Sequence, residues 1–123
     1  FYDMLSWIFG EVQENTVHLR EKDKAAGYLE FQNARVRWFL SINENDLPIE
    51  IKEKGQRTFR SITIDNQELE FSAGFTDLHT KSYEQILKGK GFGLKDSEKS
   101  IHIVHDIRNL TISKKGLKHP FIF

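Results

Sequence analysis

The amino-acid sequence predicts an α+β domain in which an open, mainly antiparallel β-sheet is covered on one face by helices. One helix pattern is followed by four or five strand patterns and then by two helix patterns. Strands grouped before helices are typical of α+β folds, whereas parallel α/β folds alternate the two. The 123 residues are 38% hydrophobic and 12% aromatic, which is enough for one domain with its own core.

The first pattern is a helix with a visible end and no visible start. In FYDMLSWIF the apolar residues recur at the spacing of one helical face, and Gly10 follows where a helix C-terminal glycine is expected. No capping residue precedes Phe1. We therefore expect that the sequence begins inside a helix of a longer protein.

Three strand patterns come next, in EVQENTVHLREK, AAGYLEFQ and ARVRWFLSIN. The third is the clearest, because its residues alternate between two faces over 35–42. Trp38 and Phe39 should therefore point to opposite faces, one of them into the core. The pattern alone leaves open which face is buried.

The face that the helices leave uncovered is expected to mix large aromatic side chains with arginines. Its residues would be Tyr28, Arg35, Arg37 and Phe39. Such a mixture is more typical of a subunit interface than of a solvated surface, so we expect a homo-oligomer that forms through the open sheet face. The alternative is a monomer in which the aromatics are shielded at the sheet edge.

The middle of the chain reads as a loop followed by a hairpin. NENDLPIEIKEKGQ is loop-like, since Pro48 does not suit a central strand. TFRSITID and QELEFSAG flank Asp65 and Asn66, which tolerate the positive φ of a tight turn. The sequence therefore predicts a β-hairpin here.

Two helices should complete the domain. FTDLHTKSYEQILKGK has apolar residues at helical spacing, with Thr76 or Thr80 as its N-cap. DSEKSIHIVHDIRNL predicts the last helix, capped by Asp96. Four residues of this helix should share one side: Ile101, Val104, His105 and Arg108.

Charge and composition exclude several functions. Eighteen basic residues balance eighteen acidic ones, so the chain has no net positive field to attract nucleic acid. Cysteine is absent, which excludes disulfides, thiolate metal sites and a cysteine nucleophile. No apolar run approaches ~20 residues, so we expect no membrane-spanning segment. The absence of cysteine suits a cytoplasmic protein, which is the location we expect.

Neither the histidines nor the glycines form a convincing site. His102 and His105 have the spacing of a zinc pair, but surface histidines on a helix are far more common, and no metal is expected. GKGFGL looks like a phosphate loop, but it follows a helix and lacks the order of a dinucleotide fingerprint.

Anion binding is the chemistry that remains. Arg57 and Arg60 lie on a predicted hairpin rim, and guanidinium groups suit carboxylates and phosphates; the alternative is a solvated loop neutralised by nearby glutamates. His79 lies at a helix start, where anions and catalytic groups are often held, or else it has no role. From the residues alone, no complete active site is visible.

Five stretches in order carry a resemblance: FYDMLSWIFGEVQ, KAAGYLEFQNARVRWFLSIN, RTFRSITIDNQELEFSAGFTDLHTKSYEQIL, GKGFGLKDS and IRNL. Together they resemble the C-terminal domain of the glucose-fructose oxidoreductase/inositol dehydrogenase family, and in particular of its bacterial UDP-N-acetyl-2-amino-2-deoxyglucuronate dehydrogenases. Members have an N-terminal Rossmann domain that binds NAD, then an α/β domain whose open sheet packs against a second subunit. The resemblance implies that residues 1–123 are a single C-terminal substrate-binding and oligomerisation domain of a longer enzyme.

The resemblance also places the catalytic motif. Family members carry D-x-G-x-H-x-x-D where the second domain begins; Asp3 matches the last acid, and the catalytic His would directly precede Phe1. The catalytic Lys and the dinucleotide glycines belong to the Rossmann domain. We therefore expect this stretch alone to bind no cofactor and to be inactive.

The implied reaction of the full enzyme oxidises the C3 hydroxyl of UDP-N-acetylglucosaminuronic acid and passes hydride to NAD, for amino-uronic acid synthesis in surface polysaccharide (the O-antigen of lipopolysaccharide). The Lys and His would handle the hydroxyl proton and orient the sugar. On the substrate side we expect Arg57, Arg60, His79 and Thr80. The alternatives are a dehydrogenase of the same family that acts on another sugar, and a non-catalytic interaction module with this fold.

Overall fold

The computed structural model describes residues 1–73 and 76–122. Its elements in chain order are α1 (Tyr2–Phe9), β1 (Val12–Arg20), β2 (Lys24–Phe31), β3 (Arg35–Ser41), α2 (Ile49–Glu53), β4 (Ser61–Ile64), β5 (Gln67–Glu70), α3 (Leu78–Leu87) and α4 (Leu94–Asn109). The chain divides into two compact units. Unit 1 contains Phe1–Ile42 and Gly93–Phe123, and unit 2 contains Asn43–Phe92.

Unit 1 is a three-stranded antiparallel sheet with two helices. The strand order is β1-β2-β3, and α4 packs on α1 and on β1. A row of residues crosses the sheet at its centre, because Val17 pairs with Gly27 and Gly27 pairs with Trp38. The buried core consists mainly of Leu5, Val17, Ala26, Leu29, Phe31, Trp38, Ile103 and Ile107. The α+β class predicted from the sequence is confirmed.

The two faces of β3 differ as the alternation predicted. Trp38 is 1% exposed and its ring meets Tyr2 of α1 edge-on, with 5.5 Å between ring centroids. Phe39 faces the other side and is half-buried. The helices therefore cover the Trp38 face, and this observation settles which face is buried.

Unit 2 contains a short 3₁₀ helix (Glu44–Asp46), two α-helices and a hairpin. β4 and β5 pair with each other as a separate two-stranded sheet, instead of extending the first sheet as the sequence suggested. The turn between them places Asp65 at φ 48° and Asn66 at φ 65°, so the predicted hairpin turn is confirmed.

Three local predictions were wrong. The stretch expected to be a loop contains the 3₁₀ helix and α2, because Pro48 stands at a helix N-cap, where its missing N–H costs nothing. The N-cap of α3 is Asp77, at φ 56°, and neither Thr76 nor Thr80. Asp96 lies within the first turn of α4, where its Oδ2 accepts the N–H of the N-cap residue Gly93 at 2.6 Å.

Candidate functional site

An open groove runs between the start of α1 and the outer side of α4 in unit 1. Its volume is about 460 Å³. The lining residues are Phe1, Tyr2, Asp3, Ser100, Ile101, Val104, His105 and Arg108. Asp3, which matched the catalytic motif, therefore lines the same groove as the four α4 residues that the sequence predicted to share one side.

Three groups in the groove can carry charge. Asp3 lies in the first turn of α1, where the helix dipole stabilises a carboxylate. Arg108 lies in the last turn of α4, where the dipole stabilises a cation. His105 stands one turn before Arg108 and is exposed. The groove thus holds a carboxyl group, an imidazole and a guanidinium group in one place.

Tyr2 forms the rigid floor at the α1 end of the groove. Burial raises the pKa of its phenol well above the ordinary value, so the hydroxyl stays protonated at physiological pH. Its ring packs edge-on against Trp38 in the core. This packing fixes the first turn of α1 and, with it, the backbone that carries Asp3.

The α4 side of the groove is held by a residue on β1. Arg20 Nη1 donates to the carbonyl of Ile107 at 2.8 Å and to the carbonyl of Leu110 at 2.9 Å. These carbonyls lie at the C-terminal end of α4, where helical partners are lacking and a cation is favoured. No local pattern in the sequence indicates this role, since Arg20 is 87 residues from Ile107 and 90 residues from Leu110.

The other predicted substrate-side residues all belong to unit 2. Arg57 is exposed in the segment before β4. Arg60 is also exposed and is fastened to the end of the hairpin, because its backbone N–H donates to Ser72 Oγ at 2.8 Å and its Nη1 donates to the Ser72 carbonyl at 3.1 Å. His79 and Thr80 lie exposed in the first turn of α3.

The glycine-rich stretch GKGFGL does not fit a dinucleotide. No strand precedes it, since Gly89 follows α3 and has the positive φ of a helix end (70°). The backbone N–H of Gly93 bonds to the Asp96 carboxylate and is not offered to a phosphate. Within the described residues, no group of three or more His, Asp and Glu side chains is placed to hold a metal ion.

The open face of the sheet carries the residues expected there. The register pairs Tyr28 with Arg37, Glu30 with Arg35 and Ala26 with Phe39 across β2 and β3. Alternation places their side chains on the face opposite Trp38. The Tyr28 hydroxyl donates to Glu30 Oε2 at 3.2 Å, and desolvation and the Glu30 carboxylate raise the pKa of this phenol.

His105 and Arg108 were not predicted from the sequence as site residues. Their shared helix side with Ile101 and Val104 was visible in the spacing, and that signal was correct. What the spacing could not show is that this side lines a groove together with Asp3 of α1, because the two helices are distant in the sequence.

Comparison with known proteins agrees with this fold. Residues 1–110 match the family described as the oxidoreductase family, C-terminal alpha/beta domain. The chain belongs to this family. The match includes α1, the sheet and α4, and therefore every residue of the groove.

Two solved structures of one enzyme are similar to this chain over 99% of its length. Both are of the WlbA (WbpB) dehydrogenase from Thermus thermophilus. The complex with NAD and α-ketoglutarate is 45% identical with a TM-score of 0.92, and the complex with NAD and UDP-GlcNAcA is 43% identical with a TM-score of 0.91. The chain spans 40% of the length of that enzyme. No described helix is long and apolar enough to cross a membrane.

Proposed function

We propose that this chain is the sugar-side and subunit-contacting domain of an NAD-dependent dehydrogenase that oxidises C3 of UDP-N-acetylglucosaminuronic acid. In the reaction, the C3–H bond breaks and its hydride goes to NAD, while the C3 hydroxyl proton goes to a general base. The product is the 3-keto sugar. Such a sugar suits amino-uronic acid synthesis for surface polysaccharide, including O-antigen, in the cytoplasm.

The observation that carries this proposal is the similarity to the Thermus dehydrogenase over nearly the whole chain. At 43–45% identity and a TM-score above 0.9, the backbone that surrounds the substrate is expected to be shared. One of those structures holds NAD together with UDP-GlcNAcA. Since the chain spans 40% of that enzyme, NAD and the catalytic Lys are assigned to the remaining length.

Asp3 is proposed as a positioning residue for the catalytic His. In the family motif this His stands three residues before the last acid, so it would directly precede Phe1. Asp3 lies in the first turn of α1, whose orientation Tyr2 fixes against Trp38. A carboxylate held near an imidazole sets its tautomer and stabilises its cationic form.

The anionic part of the substrate is assigned to Arg57 and Arg60, with His79 and Thr80 as further substrate-side residues. A uronic acid linked to UDP carries a carboxylate and a diphosphate, both of which suit guanidinium groups. Arg57 is exposed, whereas Arg60 is fastened at the hairpin end by its bonds to Ser72. Either arginine can serve its own active site or that of a neighbouring subunit.

Subunit contact is assigned to the open face of the sheet. Tyr28, Glu30, Arg35 and Arg37 place acid and base side by side on this face. In a two-fold symmetric interface the same surface of both copies is in contact. The carboxylate of Glu30 in one copy can then pair with an arginine of the other. Association through this face is expected to give a homo-oligomer.

NADH formation by the full-length protein tests the reaction. UDP-N-acetylglucosaminuronic acid should give NADH, and UDP-N-acetylglucosamine, which lacks the carboxylate, should give much less. A cycling acceptor is added so that tightly held NADH does not mask turnover. Residues 1–123 alone should give none. Oxidation of another sugar in place of the uronic acid would contradict the substrate assignment, and folded protein without activity on any sugar would favour an interaction module.

Arg57→Gln tests the assignment of the carboxylate. We expect a KM about tenfold or more higher for the uronic acid, since a charged hydrogen bond contributes roughly 1.5–3 kcal/mol. Lys54→Gln is the matched control, because it removes another exposed cation from the same segment. An equal effect of the two substitutions would show a general charge effect and would contradict a specific contact.

A further inference from the structure

The segment after α4 returns across the open face of the sheet and is fastened there. We call residues 111–122 the strap. The backbone N–H of Ser113 donates to the carbonyl of Val17 on β1 at 2.8 Å. The side chain of His18, which is 8% exposed, donates from Nε2 to the carbonyl of Lys115 at 2.8 Å. The first half of the strap is thus held by two hydrogen bonds to β1.

The second half of the strap covers Phe39. The ring of His119 stacks on the ring of Phe39, with centroids 5.7 Å apart and planes at 25°. Phe121 meets Phe39 edge-on at 5.5 Å and His119 edge-on at 4.9 Å. Arg37 Nη1 also donates to the carbonyl of Lys118 at 3.4 Å. Three rings therefore close one end of the sheet face.

The hydrogen bonding of this cluster requires a neutral His119. The backbone N–H of Phe121 donates to His119 Nδ1 at 3.2 Å, so this nitrogen acts as an acceptor. In an imidazolium both ring nitrogens carry protons, and the bond is lost. Arg37, which reaches the ring from β3, also opposes protonation. The other charged residue beside the ring along the chain is Lys118.

We propose that residues 117–122 are a proton-released cover, which stays closed over Phe39 while His119 is neutral and opens when that ring is protonated. Opening uncovers the apolar end of the sheet face and leaves the hydrogen bonds of Ser113 and His18 in place. In support, burial and the adjacent Arg37 both lower the pKa of His119, as expected for a ring that the closed state holds neutral.

The strap is separate from the groove, although it lies on the sheet face that the proposed function assigns to subunit contact. The family match ends at residue 110, one residue before the strap begins. None of the groove residues belongs to it. The inference therefore stands without the dehydrogenase assignment, and it can be tested without substrate.

Hydrogen exchange of the strap peptide in the full-length protein is the test. Rates are corrected for the intrinsic effect of pH and compared at about pH 7.5 and about pH 5.5. We expect exchange over 117–122 to increase on the order of threefold or more in acid. His119→Phe keeps an aromatic ring over Phe39 and cannot titrate, so its exchange should be the same at both pH values. His102→Phe, on the exposed side of α4, should respond like the wild type.

Arg37→Gln provides a second reading that does not need His119 replaced. It removes one positive charge beside the ring, so the midpoint of the acid response should move to higher pH. Equal exchange of the wild-type strap at both pH values would overturn the proposal. An acid response that survives in His119→Phe would also overturn it. If the response were lost in His18→Gln and kept in His119→Phe, it would belong to the buried histidine of β1 instead.

Discussion

The indole of Trp38 lies directly over Gly27, its partner on the neighbouring strand. A Cβ atom at position 27 would stand 2.8 Å from the indole and 2.3 Å from the backbone oxygen of Thr16 on β1. Both distances are shorter than atoms tolerate. The absence of a side chain at Gly27 is therefore what lets the largest buried side chain lie flat across the middle of the sheet.

Gly27→Ala should destabilise unit 1. We expect the free energy of unfolding to fall by about 1–3 kcal/mol, since the new methyl group meets a backbone atom that cannot move independently. Chemical denaturation monitored by Trp fluorescence measures it. Gly93→Ala is the control, because a Cβ at position 93 would have ordinary van der Waals room, with Asp96 Oδ2 at 3.9 Å. A loss no larger than that of Gly93→Ala would contradict the close packing.

Arg20→Ala should loosen the end of α4. The substitution removes two hydrogen bonds to the last helical carbonyls and the favourable charge at the dipole end. We expect the free energy of unfolding to fall by ~1–2 kcal/mol. The loss is no larger because one of the two hydrogen bonds is exposed to solvent and contributes little. Arg20→Lys should keep the charge effect and lose part of the bonding. Faster amide exchange confined to the last turn of α4 would locate the effect, and unchanged exchange there would contradict it.

Acid should destabilise the wild-type domain through His119. Its pKa in the folded protein is below the ordinary 6.5, so the unfolded chain binds a proton first as the pH falls. Stability from this group is present above about pH 6.5 and declines as the pH falls below it, until the folded form is protonated as well. Urea titrations of the wild type and of His119→Phe measure the difference. A difference that grows on raising the pH above 7 would have the wrong sign.

Phe39→Asp should weaken self-association while the core of unit 1 stays folded. Phe39 lies on the face opposite Trp38, so a carboxylate there disturbs the open face and the strap, and leaves the helix-covered face intact. Sedimentation of the full-length protein should show a smaller species with native far-UV circular dichroism. Leu69→Asp, on the exposed hairpin, is the control. An unchanged oligomer would contradict assembly through this face.

Asp3→Asn should lower kcat of the full-length enzyme by about 10–100-fold and leave the KM for substrate nearly unchanged. Under the proposed function, kcat falls and KM does not, because Asp3 positions the catalytic His and does not touch the substrate. The pH profile of kcat should also move, which a purely structural role of Asp3 would not cause. Glu11→Gln, which removes an exposed partner of Lys99, should affect neither. A rise in KM alone would place Asp3 on the substrate instead.

Much of the local structure of this chain was legible in its sequence. The helical period over FYDMLSWIF, with Gly10 behind it, predicted α1, and the alternation through 35–42 predicted β3 and its two faces. The Asp65–Asn66 turn predicted the hairpin. These signals are local, because a period of two or of 3.6 residues shows directly which side chains share a face.

Other local features could not be read correctly. The stretch around Pro48 was wrongly predicted to be a loop, because proline is common both at the start of a helix and in loops. Asp96 was wrongly predicted to be the N-cap, because the helix dipole favours an acidic residue both at the N-cap and in the first turn. Boundaries of this kind depend on one hydrogen bond, here the one from Gly93 to Asp96.

By itself, the sequence determined the fold class, the two faces of β3, the hairpin turn and the family to which the motifs point. Only the tertiary structure decided that Asp3, His105 and Arg108 line one groove, that Arg20 bonds to the end of α4, and that His119 stacks on Phe39. Arg20 and Ile107 are 87 residues apart, and His18 and Lys115 are 97 apart. Contacts over such separations leave no periodic trace, since the chain pairs these residues only when the sheet and α4 have packed together.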